Sequence, residues 1–512
     1  MDRPVKRLVL PVDWLGLSRL HGLLPWLPAV LALVLVALIC VKAAMAVDLV
    51  WDSLAYHLPF SAQRVGLLTD WQLQRPPADK DTLMGYYLGF PVLGDLLRGW
   101  MWKFTGWPES VNLLGIISLL LLFGYLKWAY PRLEVAWVII GVLAVPAIQS
   151  AVAGNYIDLP ANAALTILLF SIANLWVTPQ IFLRPAPWIV LFVAAAAAAN
   201  IKLQTSVFVC LTLPFILWPT WRLLREHKAS SRVIAGAAVL FACASLVIAV
   251  NLIKNLVLYH NPFFPIDMTI AGIHLAGTLT HDGWLIPGRE IGDLPQPLQS
   301  LMSIIEFRSL DGRETPYTNG MGQVLITSIS AGMGGFFSAL VVASLCFLAV
   351  AVYRRRDRLS SVLLAIVVIC AVVISLFPNS QNLRYETYWM MFLIASCLLL
   401  LRREDLSRYL ACYKIILLAA LAFVTSVTNG TYFTPNWEPL DFYVERLGAE
   451  KMLREIVQPG DVICLEQGPG QWDNRFTIMF TPLLHPKLAK ERPYAIKEGF
   501  CEGYKTLPRK NS

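Results

Sequence analysis

Charged residues are scarce in this sequence: they make up 15% of its 512 residues, whereas 57% are hydrophobic. Soluble proteins have about 25% charged and about 45 to 50% apolar residues, so a soluble globular class is excluded. The net charge of +8 does not indicate a nucleic-acid partner, because the basic residues lie in short clusters between apolar runs, the pattern that orients helices in a bilayer. We therefore predict an integral membrane protein that does not bind nucleic acid.

Several motifs of common enzymes are also missing. The sequence has no glycine-rich phosphate loop and no Gly-x-Ser-x-Gly elbow, which argues against a P-loop nucleotide site and a serine-hydrolase site. No second histidine stands at metal-like spacing from His57, so a zinc site is not expected. No convincing small-residue cleavage site follows the first apolar run, and we interpret this run as an uncleaved anchor rather than a signal peptide.

What the sequence has in abundance is apolar runs of membrane-spanning length, about 17 to 25 residues each. They predict about eleven spans, at residues 23–46, 109–128, 134–152, 158–177, 187–200, 203–220, 233–256, 323–352, 360–378, 386–401 and 411–428. The runs 187–200 and 203–220 could instead form one bent span. With eleven spans, the arginine and lysine clusters fall on one side, which the positive-inside rule assigns to the cytoplasm together with the N-terminus.

This topology predicts two parts. Residues 1–428 form an all-α polytopic membrane part with outer loops at 47–108 and 259–321. The first loop contains "SAQRVGLLTDWQ" and "GFPVLGDLLRGWMWKF", amphipathic stretches with tryptophan that are typical of interfacial helices. Residues 429–512 form a small extracytoplasmic α/β region, because a helical pattern is followed by a Pro-Gly turn and the strand-like "DVICLE".

The nine cysteines divide in the same way. Seven lie in or at the ends of predicted spans, where a thiol behaves as a small apolar group. Cys464 and Cys501 both lie in the predicted outer region. An oxidising compartment favours a disulfide between them, with two free thiols as the alternative.

Ionisable residues at the outer ends of spans are candidates for function, because a charge at membrane depth is costly. They are Asp48, Asp52 and His57 after the first span, Asn155 and Asp158, Lys202, and Arg384 with Glu386. Each has an ordinary alternative. Asp52 and Asp158 could cap helices, Lys202 could snorkel to the interface, and Arg384 could be a loop charge. Short turns at one face would bring them toward a common cavity.

In this combination the sequence resembles the polytopic glycosyltransferases of the GT-C fold, which include the protein O-mannosyltransferases and the lipid A aminoarabinose transferases. "WDSLAYHLPFSAQR" resembles their first-loop acidic motif, with Asp52 in the place of the acid, and "GNYIDLPANAAL" resembles their second acidic motif. "AAAANIKLQTSVFV" is similar to the lysine region of the fifth span, without the usual glycine, and "NLVLYHNPFFP" to the Asn-Pro-x-x-Pro stretch after the seventh. The likeness covers about the first 400 residues in arrangement.

The resemblance implies transfer of a sugar from a polyprenyl-phosphate donor to a lipid, glycan or protein acceptor at the outer face of a bacterial inner membrane. A carboxylate near the acceptor hydroxyl can act as general base, and we select Asp52, with inversion at the anomeric carbon. Asp158 is the second catalytic candidate, either orienting the acceptor or pairing with Lys202. The leaving lipid phosphate is already anionic, so it needs cations more than an acid.

The candidates for contact with the donor phosphate are Lys202, Arg384, Lys80, Arg64 and His57, with Asp48, Asn155 and Glu386 in support. Some relatives use a divalent metal between acids of the two motifs. Because lysine and arginine are available here, we expect no metal or other cofactor. Two alternatives stay open: a polyprenyl-linked glycan ligase or polymerase, and a lipid or solute transporter, which predicts charges near mid-membrane and discontinuous helices.

Overall fold

The chain folds mainly into α-helices, which the computed structural model describes over most of its length. The described residues are 26–48, 52–68, 82–226, 231–270, 272–278, 295–304, 335–377, 383–428, 430–446, 454–455, 458–465, 495–498 and 505–506. The predicted phosphate ligand Lys80 and the predicted disulfide partner Cys501 lie outside these residues. The role of the first and the pairing of the second therefore stay predictions.

The described residues form seventeen α-helices and five strands. The helices are α1 (Leu27–Met45), α2 (Leu58–Arg64), α3 (Thr82–Gly89), α4 (Leu93–Thr105), α5 (Leu113–Ala129), α6 (Val135–Leu143), α7 (Pro146–Val152), α8 (Asp158–Val177), α9 (Pro185–Ile201), α10 (Leu203–Glu226), α11 (Ser231–Tyr259), α12 (Gln296–Ile304), α13 (Gly335–Arg355), α14 (Arg358–Leu376), α15 (Thr387–Leu400), α16 (Ser407–Val427) and α17 (Leu440–Arg446). The strands are β1 (Met268–Ile270), β2 (Ile273–Leu275), β3 (Val462–Leu465), β4 (Ala495–Glu498) and β5 (Lys505–Thr506).

Within the described residues, eight helices are long and apolar enough to cross a membrane: α1, α5, α8, α10, α11, α13, α14 and α16. Helices α9 and α15 are also apolar but shorter, at 17 and 14 residues. The predicted spans 187–200 and 203–220 correspond to two helices, α9 and α10, with Lys202 in an extended conformation between them. A multi-pass helical bundle therefore accounts for the apolar composition of the chain.

The predicted continuous span 134–152 is wrong in one respect, because the chain bends there by 94° between α6 and α7. Pro146 follows the bend, and proline disfavours the helical conformation of the residue before it; Val145 is accordingly extended. The side chain of Gln149 donates a hydrogen bond of 2.5 Å to the Leu143 carbonyl, which the broken helix leaves without its usual partner. The bend directs the chain toward Asn155 and Asp158.

Helices α8 and α15 form the centre of the bundle. Most side chains of α8 are buried, and nearly every residue of α15 is buried, as expected for a helix that is apolar on all faces. They pack on each other, and α8 also packs on α5, α9, α10 and α14. By contrast, α11 exposes Leu246, Val250 and Val257, the composition of a surface that faces lipid. Residues at the ends of α8 are thus held by the most buried part of the fold.

Helix α4 forms from the second amphipathic stretch, "GFPVLGDLLRGWMWKF", between α1 and α5. It buries Gly94, Asp95, Arg98, Gly99 and Trp102. On its other face Trp100 stacks on Phe104 at 5.0 Å between ring centroids, and both are exposed. This division into a polar buried face and an aromatic exposed face is that of a helix at a membrane interface.

The C-terminal end of α3 is held by side chains from two other helices. Arg64 of α2 donates to the Tyr87 carbonyl and places its guanidinium 4.2 Å from the centroid of the Tyr87 ring. Lys254 of α11 donates to the Leu88 carbonyl. The last carbonyls of a helix receive no hydrogen bond from within that helix. Here the cationic side chains from α2 and α11 supply the missing donors.

Gly89 lies against the segment that follows α11. Its carbonyl accepts hydrogen bonds from Asn255 at 2.8 Å and from Asn251 at 3.1 Å. Asn255 also donates to the Phe264 carbonyl at 2.9 Å. The stretch "NPFFP" therefore packs directly on α3, and the segment after α11 contacts the segment after α1 here.

The C-terminal segment is attached to the end of α1. Glu438 and Ala46 form an isolated parallel bridge, and the Leu440 amide donates to the buried Glu109 carboxylate at 2.6 Å. Farther on, β3 lies between β4 and β5 in a parallel sheet. The strand predicted at "DVICLE" is thus present as β3.

Gly89→Ala should destabilise the protein, because a methyl group there would lie 2.6 Å from the Phe264 carbonyl oxygen and 2.8 Å from the Pro265 ring. We expect a loss of about 1 to 3 kcal/mol, the usual cost of overpacking, measured as a lower Tm of the purified protein in detergent. Gly124→Ala is the matched control, because the described structure has nothing within 4 Å of its added methyl. Equal Tm values for the two variants would contradict the close contact.

Candidate functional site

Four charged side chains from distant parts of the chain meet at one end of the bundle. Arg384 Nη2 lies 2.9 Å from Asp52 Oδ2, and Arg384 Nε lies 3.9 Å from Asp158 Oδ2. Lys202 Nζ contacts the other carboxylate oxygen of Asp158. Arg384 therefore links the acid of the first loop to the acid at the start of α8.

The two aspartates begin helical segments, but their carboxylates are not used as caps in the part of the chain that the structure describes. Asp52 precedes a π-helical turn, Ser53–His57, that continues into α2, and Asp158 is the first residue of α8. Neither helix start has a side-chain capping bond. Both carboxylates instead pair with cations, so the helix-cap interpretation does not describe them.

Lys202 is held at the junction between α9 and α10. Thr205 and Ser206 fold back and donate to the Ala198 and Ala199 carbonyls at 2.5 and 2.6 Å, which satisfies carbonyls that the end of α9 leaves free. Lys202 itself is buried at 7% exposure, and its Nζ lies 3.5 Å from the centroid of the Tyr385 ring. The side chain points into the protein, so it does not snorkel to the interface.

Arg384 lies on a short 3-10 turn, Leu383–Glu386, that α8 holds in place. The side chain of Asn162 donates to the Arg384 carbonyl and accepts from the Tyr388 amide, each at 3.3 Å. The guanidinium lies between the rings of Tyr156 and Tyr385, at 5.1 and 4.9 Å from their centroids. Aromatic faces stabilise a cation in this position.

Glu386 follows on the same turn and is buried at 8% exposure. Its Oε2 has no hydrogen-bond partner among the described residues. Burial raises the pKa of Glu386 from 4.5 to about 7, and the charge of Lys202 opposes this shift. Burial also lowers the pKa of the Lys202 ammonium well below its usual range, and the charge of Arg384 lowers it further, while the charges of Glu386 and Asp52 oppose this shift.

Asp48 supports the turn that leads into Asp158. Its Oδ2 accepts the Asn155 amide hydrogen at 2.6 Å. A methyl group on Gly154 would lie 2.8 Å from the same oxygen, so only glycine allows this approach. The Asp48 carboxylate thus fixes the backbone amide of Asn155, three residues before Asp158.

His57, at the end of the π-helical turn, contacts a neighbouring polar group on α4. Its Nδ1 is 3.2 Å from Asp95 Oδ1, and Arg98 Nη1 is 4.0 Å from the same oxygen. Burial lowers the pKa of His57, and the hydrogen bond with Asp95 opposes this shift. Burial also lowers the pKa of Arg98 to about 10, against the charge of Asp95. His57 thus contacts Asp95 rather than the Arg384 cluster, and Arg64 contacts the end of α3.

Several residues of this region were not expected from the sequence. Asp95 and Arg98 lie one helical turn apart in "LGDLLRGW", and a glycine stands next to each of them. Glycines allow close packing, so an acid and a base beside them could have indicated a buried polar face. Asn162 and Tyr385 flank the predicted residues Asp158 and Arg384 in sequence. Their short distance in sequence from Asp158 and Arg384 was the one signal that could have indicated them.

The described part of the chain contains no three histidine, cysteine or carboxylate side chains placed to hold one metal ion. The carboxylates of Asp52 and Asp158 contact arginine and lysine instead. The arrangement can therefore hold an anion between two cations, with a carboxylate beside it.

An apolar groove of about 280 Å³ begins at Tyr388, two residues beyond Glu386, and runs between α8, α10 and α14. Phe208 and Leu165 line its upper part, and Trp176 and Arg358 lie at its other end. The eleven-residue separation of Leu165 and Trp176 on α8 corresponds to about 16 Å. The groove thus extends from Tyr388, close in sequence to the charged cluster, toward the C-terminal end of α8.

No family model and no curated protein matches the chain. Among solved structures it is similar to the crystal structure of ArnT from Cupriavidus metallidurans in the apo state, with a TM-score of 0.50 and 13% identity over 92% of this chain and 89% of that one. The structure of ArnT from the same organism bound to undecaprenyl phosphate has a TM-score of 0.49 and 12% identity, with the same coverage. The first likeness shows the fold, and the predicted GT-C-like polytopic architecture is confirmed.

Lys202→Met should destabilise the protein by about 3 kcal/mol, because it leaves the buried Asp158 carboxylate without its contacting cation. The double variant Lys202→Met/Asp158→Asn should recover much of this loss. Thermal unfolding in nanodiscs measures both. The exposed pair Lys414 and Glu134 provides the control, since Lys414→Met should cost less than about 1 kcal/mol. Additive losses in the double variant would contradict the Lys202–Asp158 pairing.

Stability should fall as Glu386 ionises. Below pH 4.5 the carboxyl is neutral in both the folded and unfolded states, so it contributes no penalty. Between 4.5 and about 7 the unfolded state ionises first, and the folded state loses about 3 kcal/mol relative to it. Glu386→Gln should therefore raise the Tm at about pH 8 more than at about pH 5. The same Tm change at both pH values would contradict a raised pKa.

Proposed function

We propose, from the GT-C-type fold and the cation–carboxylate cluster within it, that the chain is a glycosyltransferase. It moves a monosaccharide from a polyprenyl-phosphate donor to a lipid, glycan or protein acceptor at the outer face of a bacterial inner membrane. The observation that carries this proposal is the position of the cluster: Arg384 pairs with Asp52 and Lys202 with Asp158, and an apolar groove begins at Tyr388, two residues beyond Glu386. A lipid phosphate needs both features.

Arg384 and Lys202 are suited to hold the donor phosphate. Two cations can neutralise the charge that develops on the phosphate as its bond to the sugar breaks, and buried cations do so more strongly than exposed ones. Arg384 also has a planar fork of donors that fits a phosphate. Lys80, which the resemblance places among the phosphate ligands, would add a third cation. No divalent metal is required in this scheme.

Asp52 is suited to accept the acceptor's proton. The acceptor oxygen forms a bond to the anomeric carbon while the bond from that carbon to the phosphate oxygen breaks, with inversion. The acceptor proton passes to Asp52, and the electron pair of the broken bond stays on the lipid phosphate. Asp52 is paired with Arg384 at 2.9 Å, so a phosphate that takes over Arg384 would free this carboxylate to act as the base.

The polyprenyl chain would occupy the groove between α8, α10 and α14. Its lining is apolar apart from Arg358, Thr212, Ser361 and the Tyr388 hydroxyl among the described side chains, and each buried CH₂ group contributes about 0.8 kcal/mol to binding. A groove that opens between helices admits a lipid from the bilayer, which explains why such an enzyme is built within a membrane.

A transporter shares one feature with this chain, the broken helix α6–α7. The charged side chains, however, lie at the junctions between helices: before α8, between α9 and α10, and before α15. A transport pathway requires such groups near the middle of the spans. We therefore favour a transferase over a transporter, and the assay below also separates it from a ligase that moves whole glycans from a polyprenyl diphosphate.

Purified protein in nanodiscs should transfer label from at least one radiolabelled polyprenyl-phosphate sugar of a panel, with membrane lipids, glycans and proteins as acceptors. Asp52→Asn should lower kcat by about 100-fold or more, because the general base is lost. Glu134→Gln, on the exposed Lys414–Glu134 pair, should leave the rate unchanged.

Three results of this assay would count against the proposal. Wild-type turnover by Asp52→Asn would refute the role of the base. Transfer of whole glycans from a diphosphate donor would indicate a ligase or polymerase. Movement of lipid across the bilayer with no sugar transferred would indicate a transporter.

A further inference from the structure

The charged cluster holds more acid than base among the described residues. Three carboxylates, Asp52, Asp158 and Glu386, surround two cations, Lys202 and Arg384. When all five are ionised, one negative charge is in excess. A phosphate diester adds another negative charge, and in a buried site such a repulsion is costly. If Lys80 adds a third cation, as proposed above, the occupied site still carries one excess negative charge, so neutralising one carboxylate favours donor binding.

Glu386 is the carboxylate best placed to be neutralised. Asp52 pairs with Arg384 at 2.9 Å, and Asp158 is in contact with Lys202. Glu386 is buried beside the Tyr388 hydroxyl and forms no ion pair in the described part of the chain. Protonation of Glu386 thus breaks no ion pair, whereas protonation of either aspartate would.

The groups that face Glu386 come from every element around it. They are Lys202 from the α9–α10 junction, Cys370 of α14 and Tyr388 of α15, with Arg384 and Tyr385 on its own turn and Asp52 and Asp158 beyond the two cations. Of these, Lys202 is the cation whose charge acts directly on Glu386. When Glu386 is ionised, the single positive charge of Lys202 therefore interacts with two carboxylates, those of Glu386 and Asp158.

We infer that Glu386 takes up a proton when the site binds the donor phosphate, so that donor binding is coupled to protonation of this residue. The inference rests on the proposed function. Glu386 acts through Lys202: once protonated, it leaves the ammonium charge available to the phosphate. It is a positioning residue and does not touch the reacting atoms. Burial raises the pKa of Glu386 to about 7, so both protonation states are populated near neutral pH.

The test uses a phosphodiester probe, farnesyl methyl phosphate, whose single charge does not change near neutral pH. A phosphate monoester would be unsuitable, because its second pKa is about 6. Binding to wild-type protein in nanodiscs is measured by calorimetry at several pH values. Buffers with different ionisation enthalpies then give the number of protons taken up per probe bound.

We expect the Kd of the wild type to be about tenfold higher at pH 8 than at pH 6, with about half a proton taken up at pH 7. Glu386→Gln mimics the protonated acid, so its Kd should be nearly constant over this range, with no proton uptake. Glu109→Gln is the matched control, because Glu109 is also a buried glutamate but contacts Leu440 instead of the cluster. It should keep the wild-type pH dependence.

The outcomes separate the two proposals. If the wild type binds the probe with a pH-independent Kd, or if Glu386→Gln retains the wild-type pH profile, the role of Glu386 is refuted while the proposed function stands. If neither protein binds the probe at any pH, and no sugar is transferred in the assay above, the proposed function fails. A pH dependence lost in both glutamine variants would indicate a structural effect and would also overturn the inference.

Discussion

The arrangement of this end of the bundle depends on the buried contact between Lys202 and Asp158. A charge in such surroundings is tolerated only beside an opposite charge, and this contact ties the α9–α10 junction to the start of α8. Arg384 extends it by linking Asp158 to Asp52, so the segment after α1 and the turn before α15 join the same network. Four segments that are far apart in sequence are positioned by one chain of alternating charges.

Backbone interruptions make this network possible. The extended residue between α9 and α10 points the Lys202 side chain inward, and hydroxyl groups of α10 satisfy the carbonyls that the interruption frees. The bend before Pro146 brings the backbone of Asn155 to Asp48. Asn162 likewise replaces a missing helical partner for the turn that carries Arg384. At each interruption a side chain takes the place of a backbone hydrogen bond, which keeps the irregular backbone stable in an apolar bundle.

The fold class could be predicted because apolar runs and basic clusters follow directly from the thickness and asymmetry of a membrane. In a bundle of antiparallel helices, every second connection lies at the same end. The sequence could therefore predict that four side chains lie near one another: Asp52, Asp158, Lys202 and Arg384. The pairing among them could not be predicted, because it depends on distances of a few ångströms. The bend at Pro146 was missed since hydropathy continues unchanged through it. Asp95 and Arg98 were missed because the exposed aromatic residues of α4 dominated its pattern.

The junction of α3 with the segment after α11 also limits how the sequence can diverge. Gly89 fits against the Phe264 carbonyl, and the Asn255 side chain bonds the carbonyls of both residues. Neither Gly89 nor Asn255 can change without leaving a clash or an unsatisfied carbonyl, whereas residue 264 contributes its backbone carbonyl, which any residue supplies. Gly89 and Asn255 are therefore expected to be retained together in relatives that keep this junction, although the whole of α4 to α10 separates them in sequence.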